Sequence, residues 1–256
     1  MTDVVVLTDT VGSFTTMRDA FGIDDDSAWS LPFNAFLART GDAIVLVDTG
    51  VGPPGGNERF LTDRAGRLPE LLAEAGVQPD EIALVVFTHL HVDHVGWNMQ
   101  GGAPFFPRAR YVAHRGDFES FTTTQAHRPY VRDQLAALHA TGRLELIDDG
   151  GSPLAGVEIE HVPGHTSGSC IVTIGSVTFV GDLAVHELQL ADPGLGYVFE
   201  EDRPAAAAAR RTWLPRLAAR GDLVGIPHLG LGRIRQEGDG FGWVPFAEES
   251  AATASN

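Results

Sequence analysis

The chain has 256 residues, 43% of them hydrophobic, enough to bury a sizeable core in one large domain, 1–256. Its net charge is −16 and all 18 of its basic residues are arginine, which argues against nucleic acid or an anionic membrane as a partner and rules out Schiff-base chemistry on a lysine. Cys170 is the sole cysteine, so neither an internal disulfide nor a Cys-rich zinc ribbon can form.

The N-terminus lacks a basic stretch followed by a long apolar one, and apolar runs such as Val4 to Leu7 are too short to cross a bilayer. The expectation is a soluble, cytoplasmic protein acting on a small molecule; a homodimer stays open. The segment Gly12 to Phe33 is long and irregular, with Phe14, Phe21, Trp29 and Phe33, and reads either as a lid or interface arm or as a surface loop pinned by its aromatics. Ala35 to Val47 reads as two strands joined at Gly41-Asp42. Pro53-Pro54-Gly55-Gly56 is a loop inside the domain. Leu68 to Ala75 is a short amphipathic helix closed by Gly76. Ile82 to Thr88 is a buried strand, Arg110 to Ala113 another, and Tyr130 to Ala140 a helix. Leu144 to Ile147 and Val157 to His161 are strands, and Ile171 to Val180 a hairpin turning at Gly175-Ser176. Pro204 to Ala219 is the clearest helix, with proline near its start and Gly221 beyond its end, and Leu223 to Ile226 is a last core strand.

The chemistry is concentrated in T-H-L-H-V-D-H, Thr88 to His94. Histidine is 10 of 256 residues, so a chance H-x-H-x-D-H is on the order of one in a thousand for a chain of this length. The motif follows a buried strand, so His89 and His91 leave the sheet edge on one side, with Asp93 and His94 on the turn beyond. Imidazole and carboxylate are the ligands that zinc and iron favour. Three further strand ends carry ligand types: His165 in Pro163-Gly164-His165-Thr166-Ser167-Gly168, Asp182 in Val180-Gly181-Asp182, and His228 in Ile226-Pro227-His228. Strand ends along one sheet edge are rigid supports for a site.

The order Asp48-Thr49-Gly50, T-H-L-H-V-D-H, G-H-T-S-G, G-D and a late P-H resembles the metallo-β-lactamase superfamily over residues 35 to 230. The resemblance implies an α/β fold, a four-layer αβ/βα sandwich with the site on one edge. It implies two divalent metal ions, zinc before iron or manganese: His89, His91 and His165 on the first, Asp93, His94 and His228 on the second, Asp182 bridging them, and Asp48 orienting the site. It further implies hydrolysis of an ester, lactone or related small substrate by a hydroxide held between the metals, with Asp93 moving the proton. The nearest branch is that of lactonases and organophosphate hydrolases. Zinc β-lactamases place a cysteine where Asp182 stands and use a lysine; glyoxalase II adds a helical basic domain. Acyl-homoserine lactonases carry a tyrosine three residues after the bridging aspartate, where this chain has Val185 beside His186, a departure that counts against quorum-signal lactones. The rival is a mononuclear iron dioxygenase of the persulfide type, using His89, His165 and Asp182.

The remaining residues have plainer readings. His114, His127 and His139 read as surface or helix-face histidines, His161 as a strand-end residue, and Cys170 as a small buried hydrophobe. His186 reads equally as a substrate contact or a loop residue, and Trp97, Phe105 and Phe106 as pocket lining or packing.

Overall fold

The computed structural model describes residues 3–14, 16–53, 64–124 and 129–246. The first half of the chain runs β1 (Asp3–Phe14), α1 (Met17–Phe21), β2 (Trp29–Thr40), β3 (Ala43–Val47), α2 (Leu68–Glu74), β4 (Ile82–Val86), β5 (Met99–Gln100), β6 (Ala103–Pro104), β7 (Arg110–His114), α3 (Arg115–Glu119), α4 (Pro129–Ala140) and β8 (Leu144–Ile147). The second half runs β9 (Gly151–Leu154), β10 (Val157–His161), β11 (Cys170–Ile174), β12 (Val177–Phe179), α5 (Glu187–Ala191), α6 (Arg203–Arg220), β13 (Leu223–Ile226), β14 (Gly230–Glu237) and β15 (Gly240–Pro245). Pro54 to Gly56 and His127 lie outside the described residues.

Two sheets result, ordered β1-β2-β3-β4-β7-β8 and β15-β14-β13-β12-β11-β10-β9. β4 pairs in parallel with β3 and β7, which is why it reads as the unbroken apolar run IALVV: parallel strands are covered on both faces. The facing sides of the sheets close one core from Phe36, Val47, Val86 and Val112 against Val157, Val172 and Phe179. The outer face of the first sheet is covered by Leu68 and Leu72 of α2 and Leu135 and Leu138 of α4. The outer face of the second carries Trp213, Leu214 and Leu217 of α6. Helix, sheet, sheet, helix is the expected four-layer αβ/βα order. No helix among the described residues is long and apolar enough to cross a membrane.

The reading of 12–33 as irregular is corrected. Gly12 to Phe14 end β1, Met17–Phe21 is a helix, and Trp29 to Phe33 open β2, with Phe14 paired to Trp29. Thr16 caps α1 by accepting from the Asp19 N–H at 3.0 Å, and Gly22 ends it at φ +69°. Pairing along twelve-residue strands overrides weak local signals such as Gly12-Ser13. The aromatics are buried, with Phe14, Phe21 and Trp29 each 7% exposed and Phe33 fully covered.

Candidate metal centre

Every residue read as a ligand comes to one edge of the sandwich, on a loop leaving a strand. β4 stops at Val86, two residues short of its expected end, so His89, His91, Asp93 and His94 all sit on the loop beyond it rather than on alternating strand positions. His165 lies between β10 and β11, Asp182 in the 3-10 turn after β12, and His228 after β13. All are buried except His91, which is half-buried.

The ligand atoms fall into two groups, His89, His91, His165 and Asp182, and Asp93, His94 and His228, each with its atoms within 4.8 Å of one another. His91 Nδ1 lies 3.0 Å from both His89 Nε2 and His165 Nε2. Asp182 stands between the groups: Oδ2 is 3.3 Å from His165 Nε2 and 3.8 Å from His89 Nε2, and also 3.3 Å from His228 Nε2, while Oδ1 is 3.5 Å from His94 Nε2. Asp93 Oδ2 is 3.6 Å from both His94 Nε2 and His228 Nε2.

Neighbouring groups set the proton positions. Asp48, at φ +60°, is the only non-glycine with a left-handed backbone among the described residues, a conformation that costs about 1–3 kcal/mol unless its surroundings impose it. There its carboxylate accepts from Thr88 N–H, the Thr88 hydroxyl and His94 Nδ1–H, each at 2.8 Å. His228 Nδ1–H donates to the Pro32 carbonyl at 2.8 Å. Both histidines therefore turn Nε2 inward, the nitrogen that becomes a ligand lone pair when its proton leaves. Burial alone would depress His94, but Asp48, Asp93 and Asp182 hold it up to about 10, so an incoming cation displaces a proton there. Burial brings His165 down to about 4 despite Asp182, leaving a neutral imidazole. Inside the cluster, His94 Nε2 and Asp182 Oδ1 are buried without a hydrogen-bond partner among the described residues. Orphaned atoms of this kind are costly unless something cationic completes them, so the donor set fits divalent ions.

Sequence reasoning missed the carboxylates that hold the loops. Asp117, on α3, is fully buried and accepts from Leu90 N–H at 3.0 Å, the Thr166 hydroxyl at 2.9 Å and Gly168 N–H at 2.5 Å, clamping the His89–His91 loop to the His165 loop. Burial lifts it to about 6 against those three donors. A carboxyl raised in the fold adds stability below its unfolded value of about 3.9 and loses it as pH rises through about 6, so at neutral pH the ionised clamp is held at a cost to the fold. Asp117→Asn turns one acceptor into a donor against Gly168 N–H or the Leu90 and Thr166 pair. The expected result is a metal affinity about 10- to 100-fold weaker at the His89, His91 and His165 group, read by chelator competition; native affinity there would refute the clamp. Asp9, buried on β1, accepts from Leu68 N–H (2.6 Å), Val51 N–H (2.8 Å) and Trp97 Nε1–H (3.0 Å), fixing the loop that follows Asp48. A lone Asp in a strand and another in a short helix carry no sequence signal of these roles.

The weaker candidates divide. Trp97 and Phe106 are packing residues, buried at 4% and 0% exposure, and Cys170 is a buried hydrophobe opening β11. His139 is exposed, against Phe118. His114 is corrected from a surface residue: it is buried, stacks 3.8 Å from His161 and donates from Nε2 to the Asp148 carbonyl at 2.6 Å. His186 caps α5 by accepting from Leu188 N–H at 3.1 Å and packs against Trp29 at 5.2 Å.

Comparison with known proteins follows the same lines. Residues 31–228 match the family described as the metallo-beta-lactamase superfamily. The N-acyl homoserine lactonase AiiB of Agrobacterium fabrum is 33% identical over 129 residues, 44% of this chain and 45% of that protein. The N-acyl homoserine lactonase AiiA of Bacillus thuringiensis subsp. kurstaki is 25% identical over 152 residues, 54% of this chain and 56% of that protein. The chain thus spans about half the length of the curated relatives it matches. The fold is shared with AidC, a dizinc quorum-quenching lactonase, at a TM-score of 0.84 and 21% identity over 95% of this chain and 94% of that one. The hydrolase AbOPH superposes with a TM-score of 0.82 and 21% identity over 96% and 94% of the two chains. A match that begins in β2 and ends on the histidine after β13 takes in strands of both sheets and every loop of the cluster: this chain belongs to the metallo-beta-lactamase superfamily.

Proposed function

We propose that the protein is a metal-dependent hydrolase that opens ester or lactone bonds in small, mostly apolar substrates. The ligands are His89, His91 and His165 for one divalent ion and Asp93, His94 and His228 for a second, with Asp182 shared and zinc the first choice for both. The observation that carries this is Asp182, whose carboxylate lies 3.3 Å from His165 Nε2 of one group and 3.3 and 3.5 Å from His228 and His94 Nε2 of the other. When bound, such a pair supplies a water acidic enough to act as nucleophile near neutral pH and an electrophile for the substrate oxygen. The chain's own residues do the rest. Asp48 and Pro32 hold the His94 and His228 rings in place. Burial pushes the Asp93 carboxyl up against the pull of His94 and His228, which suits a group that takes a proton and passes it to the leaving oxygen.

Lactones head the substrates because the relatives named above are N-acyl homoserine lactonases; these outweigh the Val185 departure. A single-iron oxygenase would use His89, His165 and Asp182 and leave the buried Asp93, His94 and His228 group without a role. Purified protein tested on aliphatic lactones, aryl esters, phosphotriesters and β-lactams is expected to turn over lactones or esters, to lose that activity on chelation and to regain it with zinc. Metal-loaded protein that hydrolyses none of them, or that consumes oxygen with a persulfide, contradicts the proposal.

A further inference from the structure

An irregularity in β1 sets a carboxylate beneath the loops of the centre. Thr8 pairs with Asn34 and Thr10 with Phe33, so Asp9 is the extra residue of a β-bulge, a device that re-aims a side chain. It precedes residues 31–228, the span of the family match, and has no exposed surface. Leu68 N–H at 2.6 Å and Trp97 Nε1–H at 3.0 Å donate to Oδ1, and Val51 N–H at 2.8 Å and Gly52 N–H at 3.4 Å to Oδ2. Gly50, at φ +62°, and Gly66 crowd the same carboxylate, and a Cβ on either would run into it. The segments tied in this way are the ones that hold His94. Thr49 N–H and hydroxyl donate to the His94 carbonyl at 2.7 and 3.0 Å, Gly96 N–H to the Gly50 carbonyl at 2.8 Å and Trp97 N–H to the Thr49 carbonyl at 3.2 Å. Asp48, whose carboxylate grips His94 Nδ1–H, lies between β3 and the residues that Asp9 pins. Its left-handed backbone persists only where its surroundings impose it, and Asp9 supplies part of them.

We propose that Asp9 is a positioning residue for one half of the centre: it sets the affinity for the ion at Asp93, His94 and His228 and leaves the His89, His91 and His165 position to Asp117. The inference rests on the two-ion reading and deepens it. The path is short. It runs from Asp9 to Val51 and Gly52, through Thr49 and Asp48 to the His94 carbonyl and ring, and directly to Trp97 on the far side of His94. Asp117 grips the same loop upstream, at Leu90. Asparagine cannot stand in for Asp9, because every partner is a donor and its amide NH2 would face two of them whichever way it is turned.

The test is calorimetric titration of metal-free protein with zinc against a competing chelator, for wild type and Asp9→Asn. The binding step that His228→Ala abolishes marks the Asp93, His94 and His228 position. In Asp9→Asn that step should be about 10- to 100-fold weaker, the usual effect of losing a residue that orients metal ligands, with the other step native. Trp97→Phe removes only the indole donor and should weaken the same step by about 2- to 10-fold, one hydrogen bond's worth; it decides the matter alone should Asp9→Asn fail to fold. That step unchanged, or both steps weakened alike, overturns the proposal and leaves Asp9 a general structural role. Should wild type bind fewer than two ions, the two-ion reading fails on its own. The His94 Nδ1 proton in metal-free protein, followed by NMR, then decides: its resonance lost to exchange in the variants supports the role of Asp9, and a resonance as in wild type overturns it.

Discussion

Asp93→Asn is expected to lower kcat by about 10²- to 10⁴-fold, the range that general acid-base groups contribute, while the metal content stays native. Asparagine is nearly isosteric, so its oxygen can stay near His94 Nε2 and His228 Nε2, where Asp93 Oδ2 lies 3.6 Å from each. What it loses is basicity. Asp93 is 6% exposed, enclosed enough that bulk water cannot readily substitute for it as a proton carrier. KM should move little, because the lost interaction belongs to the transition state. Asp182→Asn should behave otherwise, since its oxygens face both groups and loss of one charge weakens ligation throughout: metal content and thermal midpoint should fall together. Turnover and bound metal measured side by side separate the two roles. Asp93→Asn with native kcat and a full metal load would show that the proton leaves by another route.

Arg210→Met is expected to destabilise the fold by about 3–5 kcal/mol, the cost of removing one partner of a buried ion pair. Arg210 lies in α6 with no exposed surface and pairs with Glu200 at 2.5 Å. It also donates to the carbonyls of Leu195 at 2.8 Å, Pro193 at 2.9 Å and Leu183 at 3.3 Å. Those carbonyls punctuate the loop from the residue after Asp182 to Tyr197, so one guanidinium sets the shape of the segment bordering the centre. Methionine fills similar space but leaves Glu200 charged and takes their donor from the Leu183 and Pro193 carbonyls, while Leu195 keeps Gln189 Nε2 at 3.1 Å. Adding Glu200→Gln to Arg210→Met should recover part of the loss, because the uncompensated charge is then gone. Denaturant unfolding of both single variants and the double variant measures this; a loss below about 1 kcal/mol for Arg210→Met would mean the pair behaves like a surface one.

What the sequence made legible was local. Apolar runs such as Ile82 to Val86 and the proline-started, glycine-ended helix Arg203–Arg220 announce themselves by composition and capping. The hairpin turns at Gly41 and Gly175 do so by the positive φ they require, +55° and +58°. The H-x-H-x-D-H cluster needs no tertiary information to suggest a metal. What stayed hidden depended on partners distant in the chain. β1 and β2 look irregular until Phe14 is set opposite Trp29. β14 and β15 contain glycines that weaken the strand signal, and their pairing from Gly232 with Pro245 to Glu237 with Gly240 supplies what propensity does not. Asp9, Asp117 and Arg210 are ordinary surface residue types in the sequence; only burial reveals them as loop anchors.

The most direct test of the central claim is elemental analysis of protein purified without added metal, alongside His228→Ala prepared in the same way. His228 belongs only to the Asp93 and His94 group, so its loss should empty one position and spare the other. The account predicts close to two divalent ions per native chain, with zinc dominant, and close to one in the variant, with hydrolysis largely lost. A single iron per native chain, unchanged by His228→Ala, would contradict it.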